Sequence, residues 1–458
     1  MCVSSTLTKS EQLRSVSRFE IGLRCSYSSR LAGAGERTRT PLASEPQGKD
    51  AERGAGGPGL VWLVLLSLSL FVLLLPIASY VAALSAIKDE LGLNNAGAGA
   101  LFSAYLAGYA ASALFLVPLS DRLGPKRIMY VSAVLSVAAH LLFPLTTHDV
   151  VVGVVLRAIA GVGFLGVYIP GLRLVARRFE RNGRGSAMGL FVTAQYASHS
   201  GSLALTGWLM ATMEWRDAYT LVAGLSAVSL PLIFLLVRSV SDTPPEVSRG
   251  RLDPTVLKSE PVQFVILGYT VHALNLYALR VWLPVFLTTI LVARGFSEGN
   301  AIVTAAEVGG LALAFGAVGP VMGGAVSDRL GRTTAASLIL GVSAVCAVGL
   351  AWIGHWPWGL IVVVCVVFAW AASADSAIYQ TGITEVADPR RLGSTMALQA
   401  SLGLLGGVIG PVLFGGILDV AGGEYRWVFA FSTLGVLAAI AIFGLRRVGV
   451  LAYSRGRG

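Results

Sequence analysis

The residues of this sequence that are best suited to chemistry are ionisable side chains that stand inside long apolar runs. Such groups are costly to remove from water, so they are expected to meet a partner, a ligand or a proton. An arginine can bind an anion, a histidine can exchange a proton near neutral pH, and a buried aspartate can accept one. The candidates of this kind are Arg157, His199, His272, Arg280 and Asp375.

Polar residues accompany several of these groups at helical spacing. One set, at i, i+3, i+4, i+7 and i+11, shares a single helix face and consists of Gln195, Ser198, His199, Ser202 and Thr206. This face could line a cavity, or it could form a hydrogen-bonded packing surface between helices. Tyr379 follows Asp375 by one helical turn, so these two side chains are also expected to lie close together.

The sequence lacks the arrangements that are typical of an enzyme or a metal site. We find no nucleotide-binding GxxxxGK[ST] loop, no HExxH metal motif and no GxSxG in a suitable context. The four cysteines have neither metal-ligand nor disulfide-framework spacing. We therefore expect no catalytic residue, no metal and no cofactor, and we exclude transport that is energised by a nucleotide.

Membrane helices must position the candidate residues. Of the 458 residues, 55% are hydrophobic and 13% are charged, and the mean hydropathy is +0.71. Soluble domains carry about 25% charged residues. A transmembrane helix needs about 20 apolar residues, and no β-barrel alternation is present. Twelve runs qualify: 60–87, 96–119, 128–146, 150–175, 186–212, 217–238, 261–291, 300–326, 334–354, 357–386, 392–419 and 427–446.

The basic residues of the loops predict the orientation of these helices. Loops after even-numbered helices hold most of the loop Arg and Lys, whereas loops after odd-numbered helices hold only Lys88, Arg216, Arg294 and Arg426. The positive-inside rule then places both termini in the cytoplasm. We expect a monomeric, multi-pass protein in the lipid bilayer of a bacterial inner (plasma) membrane. The net charge of +10 does not indicate nucleic acid as a partner, because it sits in these short loops.

Changes in composition divide the chain into segments. Residues 1–59 are rich in Ser, Arg, Gly and Glu and have no long apolar stretch, which predicts a disordered tail or a start codon assigned too far upstream. Residues 60–238 are expected to form an N-terminal six-helix bundle and residues 261–446 a C-terminal one. Residues 239–260 form a proline-containing cytoplasmic linker, and residues 447–458 a cytoplasmic tail.

One charged pentapeptide, SDRLG, follows the second helix of each predicted bundle and indicates an internal duplication. The copies lie in VPLSDRLGPK, which begins at Val117, and in GAVSDRLGRT, which begins at Gly324. The glycine permits a tight turn, and the aspartate can pair with a nearby arginine or face the N-terminus of a helix. The candidate gating residues are Asp121, Arg122, Gly124, Arg127, Asp328, Arg329, Gly331 and Arg332.

Two six-helix halves with this repeated motif resemble the major facilitator superfamily. The loop motif of that family, G-x-L-x-D-R-x-G-R-[RK], is matched from Gly324 and less fully from Val117. Its helix-4 motif, R-x-x-x-G-x-G, is matched by Arg157, Gly161 and Gly163. The resemblance implies an all-α membrane protein with 12 transmembrane helices in two pseudo-symmetric six-helix bundles. It also implies that the loop motif latches the two halves in the outward-open state.

The resemblance further implies that helices 1, 4, 7 and 10 line a central cavity, which adds Tyr168 to the candidates. The expected substrate or proton pathway comprises Arg157, Tyr168, Gln195, His199, His272, Arg280, Asp375 and Tyr379. Our hypothesis is that Arg157 and Arg280, from opposite halves, attract an anionic substrate. Asp375 or His199 would then carry a proton.

The expected function is secondary active transport of a small solute by alternating access, as a proton-coupled symporter, with an organic anion as the favoured substrate class. The alternative is a proton-coupled multidrug or metabolite efflux antiporter. The antiporter signature of helix 5 includes a Gly-Pro pair, whereas Gly207 is followed here by Trp208. A membrane enzyme or sensor is a third possibility, which the lack of a sizeable soluble domain disfavours.

Overall fold

The computed structural model describes residues 57–179, 184–238, 253–352 and 355–455. Most of the predicted tail and of the predicted linker lies outside these ranges. The described part of the tail, Gly57 to Gly59, already belongs to the first helix. The last helix continues to Arg455, beyond its predicted end at residue 446.

The N-terminal half consists of six long helical spans. Their bounds are α1 (Gly57–Leu74, Leu75–Ile77 and Ser79–Ala82), α2 (Asn95–Leu123), α3 (Pro125–Thr146), α4 (Val150–Arg178), α5 (Arg184–Leu209) and α6 (Trp215–Ser226 and Ser229–Arg238). A short helix, Leu84–Glu90, follows α1 outside its apolar span. Asp149 caps the start of α4 by accepting the backbone N–H groups of Val151 and Val152.

The C-terminal half repeats this arrangement. Its spans are α7 (Glu260–Ala293), α8 (Glu298–Gly316 and Gly319–Leu330), α9 (Arg332–Trp352), α10 (Trp358–Ala374 and Ser376–Val386), α11 (Leu392–Ala421) and α12 (Arg426–Arg455). Two short 3₁₀ helices, Pro254–Lys258 and Pro389–Arg391, precede α7 and α11. Each predicted apolar run therefore corresponds to one span.

Ten spans in the described ranges are long and apolar enough to cross a membrane by length and composition. The other two, α2 and α5, have 29 and 26 residues and complete the set of twelve. Both are rich in Gly, Ala and Ser, and α5 carries the polar face that includes His199. The predicted fold class, two six-helix bundles of an all-α membrane protein, is confirmed.

Small residues allow the helices within each half to pack closely. A Cβ atom added to Gly161 of α4 would lie 1.9 Å from the carbonyl oxygen of Tyr105 in α2. In the C-terminal half, a Cβ atom on Gly406 of α11 would lie 2.1 Å from the carbonyl oxygen of Thr270 in α7. Membrane helices associate through such close backbone approaches. The glycines of the helix-4 motif thus have a packing role.

The repeated motif makes the same turn in both halves. Gly124 has φ 87° and Gly331 has φ 83°, a left-handed conformation that favours glycine. Gly124 stands between α2 and α3, and Gly331 between α8 and α9. We call the end of the bundle that carries these turns the motif end, and the opposite end the distal end.

The two halves meet at the distal end through α2 and α11. A Cβ atom on Gly99 would lie 2.3 Å from the carbonyl oxygen of Pro411. The carboxylate of Asp419, near the end of α11, accepts hydrogen bonds from the backbone N–H groups of Asn95 (2.9 Å) and Ala96 (2.8 Å). It also accepts one from the side-chain amide of Asn95 (2.7 Å). One half therefore caps the first turn of a helix in the other.

Candidate functional site

A cavity of about 680 Å³ lies between the two halves. Its walls come from α2, α4 and α5 of the N-terminal half and from α7, α10 and α11 of the C-terminal half. Sites that bury a small organic molecule usually measure about 300–1,000 Å³. The lining residues of α2 and α11 lie on the motif side of the contacts that join these two helices. The cavity is therefore large enough for a small solute and is bounded by the closed distal end.

Arg280 supplies the positive charge of the cavity wall. Its guanidinium carbon lies 5.3 Å from the ring centre of Tyr277, on the same helix, and 5.7 Å from that of Tyr196, on α5. Its Nε atom is buried without a hydrogen-bond partner. Within the described ranges, no carboxylate forms an ion pair with this side chain. Arg280 therefore presents a cation that two aromatic rings hold in place but that no carboxylate of the described ranges contacts.

The cavity wall also carries several neutral polar groups. Gln195 and His199 of α5 line it, and the Nδ1 atom of His199 lies 2.7 Å from the carbonyl oxygen of Gln195. A carbonyl only accepts, so this ring nitrogen is the donor. Tyr109 and Tyr269 contribute further aromatic surface from the two halves. The lining can therefore contact the hydroxyl groups and the carbon skeleton of a solute.

The remainder of the polar face of α5 has a structural role. The hydroxyl of Ser202 accepts the backbone N–H of Ala78 at 3.0 Å, at an interruption of α1. The hydroxyls of Ser79 and Thr206 lie 2.7 Å apart. The two interpretations of this face, cavity lining and hydrogen-bonded packing, therefore apply to different parts of the same helix.

His272 and Asp375 form a buried pair at the cavity wall. The Nδ1 atom of His272 lies 2.6 Å from Oδ1 of Asp375, and the two side chains are 4% and 1% exposed. His272 lines the cavity, whereas Asp375 lies behind it. The rings of Tyr269 and Tyr379 lie 5.6 and 6.0 Å from the imidazole. The sequence predicted His272, Asp375 and Tyr379 individually but did not predict that His272 and Asp375 form a pair.

Asp375 also occupies a break in α10. It is the one residue between the segments Trp358–Ala374 and Ser376–Val386. The second segment is held to α11 by the side-chain amide of Gln399, which donates to the carbonyl oxygen of Tyr379 at 3.0 Å. A charged residue thus stands where the helix is interrupted.

Arg157 lies away from the cavity, inside the N-terminal half. Its guanidinium carbon is 4.7 Å from the ring centre of Tyr80, 5.1 Å from that of Tyr105 and 5.6 Å from that of Phe102. The side chain is 1% exposed, and none of its nitrogen atoms has a hydrogen-bond partner. The hydroxyl of Tyr219 makes no hydrogen bond with Arg157 and lies instead 3.0 Å from Nδ1 of His140.

The structure therefore does not bring the two predicted arginines into one site. A pocket of about 30 Å³ lies between them, lined by Arg280 on one side and by Phe102 and Tyr105 of the cage around Arg157 on the other. Tyr168 packs between Phe164 and Phe191, also outside the cavity lining. A role of Arg157 in gating or proton coupling stays a prediction.

Comparison with known proteins identifies the family. The sequence model of the Major Facilitator Superfamily matches residues 66–411. The chain belongs to this superfamily. The resemblance predicted from the motifs is thus confirmed, and the chain is a multi-pass membrane transporter of a small solute rather than an enzyme.

Individual relatives and structures agree with this membership. A probable sulfoacetate transporter of Cupriavidus necator is 29% identical over 58% of this chain and 64% of its own length, just under two thirds. A hexuronate transporter of Bacillus subtilis is 25% identical over 78% of this chain and 87% of its own length. The crystal structure of a bacterial homologue of the human lysosomal transporter Spinster, inward-facing and occupied, shares the fold with a TM-score of 0.69. The sequence identity is 17%, and the structural match covers 86% of this chain and 98% of the homologue's chain.

The gating motif of this superfamily member differs between its two copies. In the C-terminal copy, Arg332 contacts Asp328 at 2.6 Å and Glu385 of α10 at 3.1 Å. It also donates to the hydroxyl of Ser327 at 2.6 Å, and Arg329 is exposed. These contacts join α8, α9 and α10 within one half.

In the N-terminal copy, Gly124 is buried and Arg127 is exposed. The side chains of Asp121 and Arg122 lie outside the described part of the structure. A latch between the halves at this end stays a prediction.

Three aromatic residues of the site were missed by sequence reasoning: Tyr109, Tyr196 and Tyr277. One signal was available, because Tyr277 stands three residues before Arg280 and so shares its helix face. No comparable signal marks Tyr109, which is one of many aromatic residues in apolar surroundings.

Proposed function

We propose that this protein is a secondary transporter that carries a small organic anion across the bacterial inner membrane by alternating access, coupled to protons. The observation that carries the proposal is the guanidinium of Arg280, which lines the cavity between the halves and has no ion-pair partner in the part of the chain that the structure describes. We further propose that the protein acts as a monomer and that both termini are cytoplasmic.

Anion binding follows from the cost of an unpaired charge within a membrane protein. A cation at this depth is expensive unless it has a partner. The planar guanidinium offers parallel N–H donors that match a carboxylate or a sulfonate. Tyr196 and Tyr277 restrict its motion, so less conformational freedom is lost when an anion binds.

The relatives support this substrate class. Sulfoacetate carries a sulfonate and a carboxylate, and a hexuronate carries a carboxylate with several hydroxyl groups. The cavity offers Arg280 for the acidic group, and Gln195 and His199 for hydrogen bonds with hydroxyl groups. Its tyrosines provide flat surfaces for a carbon skeleton.

Alternating access is supported by the unequal ends of the bundle. The halves are closed at the distal end by the approach of α2 to α11 and by the bonds of Asp419. The cavity lies on the motif side of this closure. Since the basic loops mark the motif end as cytoplasmic, we assign the distal end to the outside and this conformation to the inward-facing part of the cycle.

An uptake screen with purified protein in liposomes tests the proposal. Labelled D-glucuronate and sulfoacetate are compared with neutral glucose and cationic choline, with and without a pH gradient that is acidic outside. We expect uptake of at least one anion and its stimulation by the gradient. Uptake of choline or glucose without either anion would contradict the proposed substrate class. Equal anion uptake with and without the gradient would contradict proton coupling.

A further inference from the structure

We infer that the side chains of His272 and Asp375, here called the pair, bind the proton that accompanies the anion. We also infer that the hydrogen bond within the pair controls the break in α10. This inference rests on the proposed function and adds to it a specific proton site.

The position of the pair lets a proton reach it from the cavity through His272, whereas the Asp375 carboxylate is shielded from solvent. His272 lines the cavity, while Asp375 is 1% exposed behind it. The titratable groups nearest to the pair are Tyr269 and Tyr379. The hydroxyl of Tyr379 is near the carboxylate but makes no hydrogen bond. Beside Asp375, α8 packs against α10 through glycines, which carry no titratable group.

Two protonation states of the pair differ by one unit of charge. In the state with an ionised Asp375 carboxylate, which only accepts hydrogen bonds, Nδ1 of His272 carries the hydrogen that it donates to Asp375. With Nε2 unprotonated, the pair has a net charge of −1. A proton that binds at Nε2 converts it into a neutral imidazolium–carboxylate pair. No bond other than this N–H forms or breaks.

Charge balance then couples the proton to the anion. Arg280 lies eight residues from His272 on α7, which corresponds to about 12 Å along the helix. In the empty site, the guanidinium and the unprotonated pair sum to zero. In the loaded site, a monoanion neutralises Arg280 and a proton neutralises the pair, so the sum is again zero. Half-loaded sites carry a net charge, which is unfavourable in the membrane.

The strength of this coupling can be estimated from the separation. Two unit charges about 12 Å apart at an effective dielectric constant of about 20 interact by an amount equivalent to about tenfold in affinity. Binding of a monoanion should therefore raise proton affinity about tenfold, and protonation should raise anion affinity by the same factor.

The break in α10 links the proton to a change in shape. Asp375 stands between the two segments, and α8 is interrupted beside it, between Gly316 and Gly319. A Cβ atom on Gly319 would lie 2.8 Å from the carbonyl oxygen of Trp370 in α10. The second segment of α10 ends near Glu385, which contacts Arg332 of the gating motif. A change in the charge of the pair therefore acts on the segment that leads to that motif.

The test separates anion movement from proton-driven accumulation in proteoliposomes, with D-glucuronate as the probe. One proton per anion would give about tenfold accumulation for one unit of pH gradient. We expect Asp375→Asn, which alters the member of the pair that lies behind the cavity lining, to keep D-glucuronate exchange within a few-fold of wild type but to lose this accumulation. His140→Gln is the control, since it alters a buried histidine on α3 that is bonded to Tyr219. It should keep both activities.

Several outcomes would overturn the inference. One is tenfold accumulation by Asp375→Asn. Another is loss of exchange as well as accumulation in variant protein that retains the melting temperature of the wild type. A measurement on the wild type avoids reliance on the variants: because the coupling is about tenfold, D-glucuronate binding in weakly buffered solution should take up protons, up to about half a proton per protein at the most favourable pH. Binding without proton uptake would contradict the proton site. Failure of the wild type to bind or transport any anion would instead reject the proposed function on which it rests.

Discussion

Replacement of Arg280 by glutamine is expected to weaken anion binding by about ten- to hundredfold. The variant removes the one cation that we place on the cavity wall and keeps a polar side chain of similar length. A hydrogen bond to a charged group contributes about 1.5–3 kcal/mol, and each 1.4 kcal/mol corresponds to about tenfold in Kd. An anion that binds Arg280 through two parallel hydrogen bonds would lose both in the variant, but water can enter the cavity and replace part of the second. We therefore base the expected loss of affinity on one hydrogen bond.

A lysine at the same position separates charge from geometry. Arg280→Lys keeps the positive charge but loses the planar donors and their stacking against Tyr196 and Tyr277. We therefore expect Arg280→Lys to bind with an affinity between those of the wild type and Arg280→Gln. The assay is equilibrium binding of labelled D-glucuronate and of sulfoacetate to purified protein.

Arg294→Gln is the matched control. Arg294 follows the end of the same helix, is exposed, and donates to the carbonyl oxygen of Trp356. The control removes the same charge at a distance from the cavity, and we expect its Kd to stay within about twofold of wild type, as is usual for exposed charges. If Arg280→Gln binds as tightly as wild type, or if Arg294→Gln is equally impaired, Arg280 is not the anion ligand.

Three further predictions concern packing, closure and pH. Gly161→Ala should destabilise the protein by about 1–3 kcal/mol through overpacking, whereas Gly189→Ala, with nothing within 4 Å, should not; thermal melts of both variants check this. Asp419→Ala removes the cap that joins the halves and should cost the distal-closed state about 1 kcal/mol; spin-label distances across that end should then show a larger open population. The hydrogen bond from Arg216 lowers the pKa of Glu90 from its ordinary value of 4.5. This contribution to stability is present above pH 4.5 and is lost as the pH falls through the lowered pKa, so the acid-induced fall in melting temperature should be smaller in Glu90→Gln.

The number and bounds of the helices could be predicted because they depend on the length of apolar runs. Membrane thickness sets that length, and charged or turn residues end each run. The interruptions within helices were not predicted. The break in α1 coincides with Pro76 and is also held by a contact with Ser202 on α5, whereas the break at Asp375 has no adjacent proline to mark it. The break at Asp375 depends on neighbouring helices, which a single sequence does not identify.

The candidate site could be predicted in part. Gln195, His199, His272 and Arg280 were recognised because polar residues are rare in apolar runs, and all four line the cavity. Arg157 was recognised for the same reason but faces the inside of its own half. Polarity shows that a residue needs a partner, whereas the face that it presents depends on how the helices pack. Pairing of side chains on different helices requires the same information.

The most direct test of the account is a structure of the protein with D-glucuronate bound in the cavity. We predict that a carboxylate oxygen of the ligand lies about 2.7–2.9 Å from a guanidinium nitrogen of Arg280, the distance of a charge-assisted hydrogen bond. A ligand bound in the cavity with its carboxylate on other residues, and with Arg280 not in contact with it, would contradict the central claim.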